Sequence, residues 1–404
     1  MDYTRNAQTT QKMPKLTDTM VLEEACEALA EALPLEGDGY VCTATDLWQI
    51  LLGVSVEGKT IHALCAGLSG APSDTLVRNN LNEQLTVERL PEIEDRLNYA
   101  LAAQIPNRVF KRPRDTSIDL HDQAYYGTTE QEDGLWVRAK AQDGTTRFYR
   151  VATAYVNWRD QRLTLAIKFV TPDDDTVSVL SDVLKRITGL QKTQKKGLKY
   201  SIKTLYLDRG FDGVRVMRFL GKTHLRAVVA CTIRGKDGGT RALCRGRGSY
   251  RTRYTFNSSE HGQFTVNVAV CKVFTTAKRT GRNPRRADWM IFILFRCDYT
   301  PQQVRQTYRR RFGIESSYRC ARHTRGWTTS PNPALRFVLM ALSFFLVNLW
   351  IALRWRFAQI PRRGGRLVSY AHFRLQRLID WIARVIDRIY RPISIIRALA
   401  MPIE

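Results

Sequence analysis

Three carboxylates far apart in the chain occupy settings that suit chemistry. Asp119 sits inside the alternating stretch Thr116-Ser117-Ile118-Asp119-Leu120-His121-Asp122. A period of two puts Asp119 on one face of a strand and Ile118 and Leu120 on the other. A charge in the middle of a half-buried strand costs free energy unless a cation or donor compensates it. Asp208 closes the apolar run Leu205-Tyr206-Leu207-Asp208-Arg209-Gly210-Phe211, directly before a glycine turn into a helix. The carboxyl ends of strands are where open α/β sheets bind ligands. Glu315 belongs to a segment with an explicit helix start, in which Thr300 caps, Pro301 takes the first helical position and Gln303 the third. From that start a helix can run through Tyr308, Arg311, Glu315 and Arg322, which at 100° per residue fall within roughly a 60° arc. One face would then carry a phenol, two guanidiniums and a carboxylate.

Carboxylates from a mid-strand, a strand end and a helix can hold two Mg²⁺ ions about 3.5–4 Å apart, suited to in-line displacement at phosphorus. Zinc would want Cys and His spacing that this chain lacks. Asp122 is an alternative first ligand, but its odd spacing from Asp119 puts the two on opposite faces of a regular strand. Asp119 has the more apolar neighbours.

The elements that must position these groups change character along the chain. Leu16 to Ala103 shows helical periodicity interrupted by turn clusters, which predicts an all-helical N-terminal domain over residues 1–105. Within it Ser73 can cap a helix from Asp74, behind a shorter one near Ile61 to Ala66. That arrangement fits a helix-turn-helix as well as an ordinary helical pair. After Pro113 come stretches rich in β-branched and aromatic residues, at Ser117 to Tyr126, Gly134 to Ala139, Arg147 to Val156 and Leu163 to Val170. A helix over about Thr176 to Gly189, the short strand ending at Asp208 and a helix starting near Asp212 follow. Strands first, then strand and helix in alternation, indicate a mixed α/β sheet flanked by helices. Residues 234–288 read as a β-rich insertion into a catalytic domain made of residues 106–233 and 289–360, and residues 361–404 as a basic helical tail.

Charge names the class of partner. The 404 residues hold 63 Lys and Arg against 38 Asp and Glu, a formal charge of +25. Residues 1–105 carry 7 basic and 16 acidic residues, so the excess of positive charge lies entirely in the remainder. A densely anionic partner is attracted and its counterions are released on binding, which makes nucleic acid the default partner, with an anionic membrane behind it. The loop with Lys278, Arg279, Arg282, Arg285 and Arg286, and the tail from Arg362 to Arg366, are candidate backbone clamps, since phosphate contacts need charge and no base reading. Eight dispersed cysteines without Cys-x-x-Cys spacing, and no signal peptide in the first twenty residues, suit a reduced cytoplasmic protein. Leu335 to Leu353 is apolar enough to resemble a membrane span, yet it carries Arg336, Ser343 and Asn348, so a buried core helix and no stable membrane association are expected.

Tyr308, Arg311 and Glu315, with Arg322 at the position of a lysine, match a Tyr-x2-Arg-x3-Glu-x6-Lys pattern. Ile118-Asp119-Leu120-His121-Asp122 with Tyr125-Tyr126-Gly127, and Leu207-Asp208-Arg209-Gly210-Phe211, precede it in order. In these motifs the chain resembles the DDE transposases of bacterial and archaeal insertion sequences, in the group marked by a Tyr, Arg, Glu, Lys signature, over roughly residues 110–355. The resemblance implies an RNase H-like fold, with Asp119, Asp208 and Glu315 binding Mg²⁺ or Mn²⁺. It also implies a synaptic homodimer on terminal inverted repeats of double-stranded DNA, and DNA cleavage followed by strand transfer in a prokaryotic, nucleoid-associated setting. Tyr308 and Arg311 would contact phosphates near the cleaved end, and Arg322 and Arg319 would bind DNA by charge. Some members stack a flipped base on an aromatic residue of the insertion; no Trp occurs from Gly213 to Asp288, which leaves Tyr250, Tyr254 and Phe256.

Overall fold

A computed structural model describes residues 15–127, 135–142, 144–158, 161–190, 199–276, 285–312, 321–362, 365–369 and 371–395. The first element with catalytic promise is β1 (Arg114–Ala124), followed by β2 (Val137–Gln142), β3 (Thr145–Trp158) and β4 (Gln161–Val170). Helix α6 (Thr176–Gly189) leads to β5 (Ile202–Leu207), and α7 (Val214–Lys222) to β6 (Ala227–Cys231). Strands β3, β1, β5 and β6 lie side by side in that order, with β4 on the far edge of β3. β3 is antiparallel to both β1 and β4, whereas β1, β5 and β6 are mutually parallel. Three antiparallel strands followed by two parallel ones reached through helices make the RNase H-like arrangement.

The expected insertion extends this same sheet. β7 (Tyr250–Ser258), β8 (Gly262–Thr276) and β9 (Arg285–Phe295) form consecutive antiparallel ladders, and β9 returns to pair with β6. β9 runs through Asp288 without a break, so a single strand joins the insertion to the core. Among the described residues nine strands share the sheet.

Alternation along these strands gives the sheet two faces. Ile118, Leu205, Leu207, Val229 and Ile293 pack with Val183 of α6 and Met217 of α7 on one face. Tyr206, Val228, Ala230, Phe292 and Leu294 pack with Val304 and Tyr308 on the other. Those last two residues belong to α8 (Pro301–Phe312), whose start is the anticipated reciprocal cap: Gln303 N–H donates to Thr300 Oγ1 at 3.3 Å, and Thr300 N–H to Gln303 Oε1 at 2.9 Å.

Among the described residues five helices precede the sheet: α1 (Asp18–Ala32), α2 (Ala44–Glu57), α3 (Ile61–Cys65), α4 (Asp74–Gln84) and α5 (Leu90–Ala103). Their core is continuous with that of α9 (Pro333–Phe357), of α10 (Leu375–Tyr390) and of Val151 and Phe169 on the sheet. α10, the last helix among the described residues, therefore completes the N-terminal helical layer, with Tyr390 Oη donating to Asp46 Oδ1 at 2.6 Å and Arg388 pairing with Asp18 at 2.8 Å. Ser73 caps α4 as expected, accepting from Leu76 N–H at 3.2 Å. The one cation of that helix, Arg78, is engaged by Asp74 at 2.9 Å, so the α3–α4 pair presents little to a phosphate.

The apolar helix α9 is a core helix: 94% of its most hydrophobic window is buried. Arg336 and Asn348, two of the polar residues in its apolar run, have partners on neighbouring elements. Arg336 donates to Ser330 O at 2.6 Å and lies against the rings of Tyr125 and Tyr149. Asn348 accepts from Thr164 N–H at 2.9 Å and donates to Thr164 O at 2.8 Å. On the same edge strand, Asn98 of α5 exchanges two bonds of 2.8 Å with the backbone of Ile167, and Glu94 accepts from Phe169 N–H at 2.5 Å. Side chains of two helices thus satisfy the outward backbone groups of β4, which a further strand would otherwise pair.

Candidate active site

The last β1–β5 pair is Ile118 with Leu207. The next residues on the two strands are Asp119 and Asp208, so the two carboxylates leave neighbouring parallel strands at one level, where backbones are about 4.8 Å apart. Both residues are half-buried, on the face covered by α8. They line one cleft of about 410 Å³ together with Arg209, Ala230, Met290, Ile291, Phe292 and Tyr308. Asp208 also ends its strand as a cap, its Oδ1 accepting from Gly210 N–H at 2.9 Å. A Cβ at Gly210 would stand 3.1 Å from that Oδ1 and 3.4 Å from Leu120 Cδ1, so a side chain there would press on the Asp208 carboxylate by a few tenths of an ångström.

Asp122 is occupied elsewhere. It faces Arg150 across the β1–β3 ladder and takes two bonds from its guanidinium, at 2.6 and 2.8 Å. That leaves Asp119 as the carboxylate of β1 beside Asp208. Arg150 is held above its ordinary value first by the Asp122 hydrogen bond and to a smaller extent by the charge of Asp208.

Tyr308 takes a different place from the one the resemblance implied. It is 1% exposed, and its hydroxyl donates to Leu207 O at 3.0 Å, the carbonyl just before Asp208. Its ring packs on Phe292 with centroids 4.8 Å apart. Through this bond Tyr308 ties α8 to the backbone carbonyl just before Asp208, at the wall of the cleft.

Arginines gather behind the acid pair, and sequence reading missed most of them. Arg162 is 5% exposed, donates to Thr153 Oγ1 at 3.0 Å and lies 3.4 Å over the ring of Tyr155. Thr153 is the residue opposite Asp119 on β3. His121, two positions beyond Asp119, is pushed down to about 4 by burial and then by the charges of Arg325, Arg162 and Arg322, against the opposing pull of Asp122. It is therefore neutral at pH 7. Arg322, expected to bind DNA, is exposed and close enough to act on His121. Arg325 was not singled out in the sequence because nothing local marks it; burial holds it below its ordinary value.

Among the described residues no three metal-ligating side chains converge. Glu315, Arg319, Lys278, Arg279 and Arg282 lie outside the described residues, as do the side chains of Arg285, Arg286 and Arg311. The donor set that is described, two half-buried carboxylates at one level with no thiol among them, fits a hard cation such as Mg²⁺ or Mn²⁺.

No protein-family model matches this sequence, and no curated protein matches it. Among solved structures, the chain is similar to that in a cryo-EM structure of a piggyBac transposase synaptic complex with hairpin DNA. Identity is 11%, the match covers 95% of this chain and 82% of that one, and the TM-score is 0.48.

Proposed function

We propose that this protein is a DDE transposase that binds the terminal inverted repeats of its own element as a homodimer and carries out divalent-metal-dependent cleavage and strand transfer. The observation that carries the reading is the side-by-side placement of Asp119 and Asp208 where β1 and β5 part, in one cleft beneath α8. Glu315, seven residues after the cleft residue Tyr308 in a segment of helical spacing, is the third carboxylate of the reading.

Asp119, Asp208 and Glu315 would hold two Mg²⁺ or Mn²⁺ ions. When bound, these supply Lewis-acid stabilisation to the attacking and leaving oxygens at phosphorus. The chain's own groups do the rest. The Gly210 N–H fixes one oxygen of Asp208, and Tyr308 secures the backbone it hangs from. His121 is neutral, and positive charge reaches the cleft from Arg209, which lines it, and from Arg150, while Arg162, Arg322 and Arg325 act on His121 two residues beyond Asp119. That charge favours a phosphodiester at the site. Arg311, Arg319 and the basic residues from Lys278 to Arg286 extend the same attraction along the duplex.

Cleavage of a duplex carrying the element end tests the reading. Asp119→Asn, Asp208→Asn and Glu315→Gln are each expected to abolish Mn²⁺-dependent cutting while leaving DNA affinity within about threefold of the parent, since none removes a phosphate-binding cation. Full-rate cutting by all three variants refutes the assignment. Cutting without any joined product would assign an RNase H-like nuclease instead.

A further inference from the structure

The geometry points to a second phosphodiester-binding site, for the backbone of duplex DNA, at the N-terminal end of β1, apart from the paired aspartates. Arg108, Lys111, Arg112 and Arg114 surround a cavity of about 360 Å³ with Asn157 and Trp158, and no carboxylate is among the described residues that line it. Four cations sharing one concavity repel one another, and an anion spanning them removes that cost.

The rim is built. Val109 and Phe110 are buried and pin the turn after α5, which sends Arg108, Lys111 and Arg112 outward to solvent. Arg114 is aimed by two backbone carbonyls, donating to Val109 O at 3.0 Å and Arg108 O at 2.9 Å. Arg108 lies 5.9 Å over the ring of Trp355, which packs edge-on against Trp158 with centroids 4.8 Å apart. Exposed arginine and lysine side chains lose rotamer freedom on binding; here two of the four are already held.

Charge favours a polyanion over a small anion, because the four cations belong to the part of the chain that carries all of its excess positive charge. Arg114 lies five residues before Asp119, about 16 Å along an extended strand, and this odd spacing puts the cavity with Trp158 on the other face of the sheet from the acid pair. Resting on the proposed cleavage reading, the cavity would take a stretch of duplex away from the scissile phosphate. The site would hold the duplex without reading its bases.

The test is the salt dependence of binding of an element-end duplex of about 30 base pairs to the full-length chain, followed by fluorescence anisotropy. Each phosphate contact contributes about 0.9 to the slope of log K against log salt. R108Q/K111Q/R112Q should lower that slope by about two to three and weaken binding, with thermal unfolding unchanged because Arg114 and the buried anchors are kept. R374Q/R377Q/R384Q removes the same charge from an exposed face of α10 and should leave the slope unaltered. An unchanged slope in the first variant, or an equal fall in both, overturns the site. Asp119→Asn serves as the independent arm: if it still cuts while the first variant loses slope, the cleavage reading fails and the binding site stands.

Discussion

Replacing Asn348 by leucine removes the only amide in the apolar body of α9. It leaves Thr164 N–H, Thr164 O and Leu101 O without the bonds of 2.9, 2.8 and 3.3 Å that Asn348 gives them. Asn348 is fully buried, so water cannot substitute without opening the core. A buried polar group left unpaired costs about 1–3 kcal/mol, on the order of 6 kcal/mol for three, and burying a leucine returns about 2 kcal/mol. The net loss is about 4 kcal/mol, almost three orders of magnitude in the opening equilibrium of β4. Hydrogen–deuterium exchange of peptides spanning β4, read by mass spectrometry, reports that equilibrium directly. Ser343→Ala is the internal control: Ser343 is 1% exposed, but its hydroxyl donates at 2.6 Å to Met340 O within its own helix. Its loss should cost under about 1 kcal/mol, because the hydroxyl and its need for a partner disappear together. Equal protection of β4 in Asn348→Leu and the parent would refute the view that side chains close this edge of the sheet.

Three further outcomes follow from the geometry. Tyr308→Phe removes one buried bond to Leu207 O, worth about 1 kcal/mol; cleavage should slow up to about tenfold with DNA affinity unchanged, whereas a loss confined to affinity would restore the phosphate contact. Gly210→Ala places a Cβ 3.1 Å from Asp208 Oδ1, so calorimetric Mn²⁺ titration should show affinity reduced by about tenfold, and unaltered affinity would mean that Asp208 does not ligand. Glu94 is pushed from 4.5 to about 7 by burial, which outweighs the Arg186 guanidinium and the Phe169 N–H. Folded protein thus keeps a proton that the unfolded chain releases, so this contribution is full below about pH 4.5 and is lost as pH rises through about 7, by up to about 3 kcal/mol. Urea unfolding of Glu94→Gln should be flatter than the parent between pH 5 and 8, and parallel curves would contradict it.

Much of the scaffold was legible because its signals are local. The helix Thr176–Gly189 appears at its anticipated bounds, with Asp175 accepting from Val177 and Ser178 N–H. The Thr300–Gln303 cap, the mid-strand Asp119 and the strand-end Asp208 are likewise written in a few adjacent residues. What escaped reading depends on distant partners. Nothing near Arg162 or Arg325 in sequence announces that they stand behind Asp119. Residues 361–404 read as a basic helical tail, and Arg377, Arg384 and Arg388 are exposed along one stripe of α10, but only the structure shows that the opposite stripe of Leu378, Ile382 and Ile386 is buried against α1 and α2. Tyr308 was placed by a motif, which specifies a position and leaves the direction of its hydroxyl to packing.

The acid pair sits where it does because β1 and β5 stop pairing there. β1 continues to Ala124 with β3 as its only partner, while its last pair with β5 is at Ile118. Beyond that point β1 turns its unpaired side toward the space that Asp208 enters. A parallel seam that ends early exposes one strand's flank and the next strand's carboxyl end at the same level, and this brings two carboxylates together without burying either completely. The remaining cost is electrostatic, since like charges at neighbouring positions raise each other's energy. Arg150 offsets part of it through Asp208, yet its two short bonds go to Asp122. On the proposed reading a hard divalent ion would relieve that repulsion, with the Gly210 N–H holding one oxygen of Asp208 and Tyr308 the carbonyl just before it.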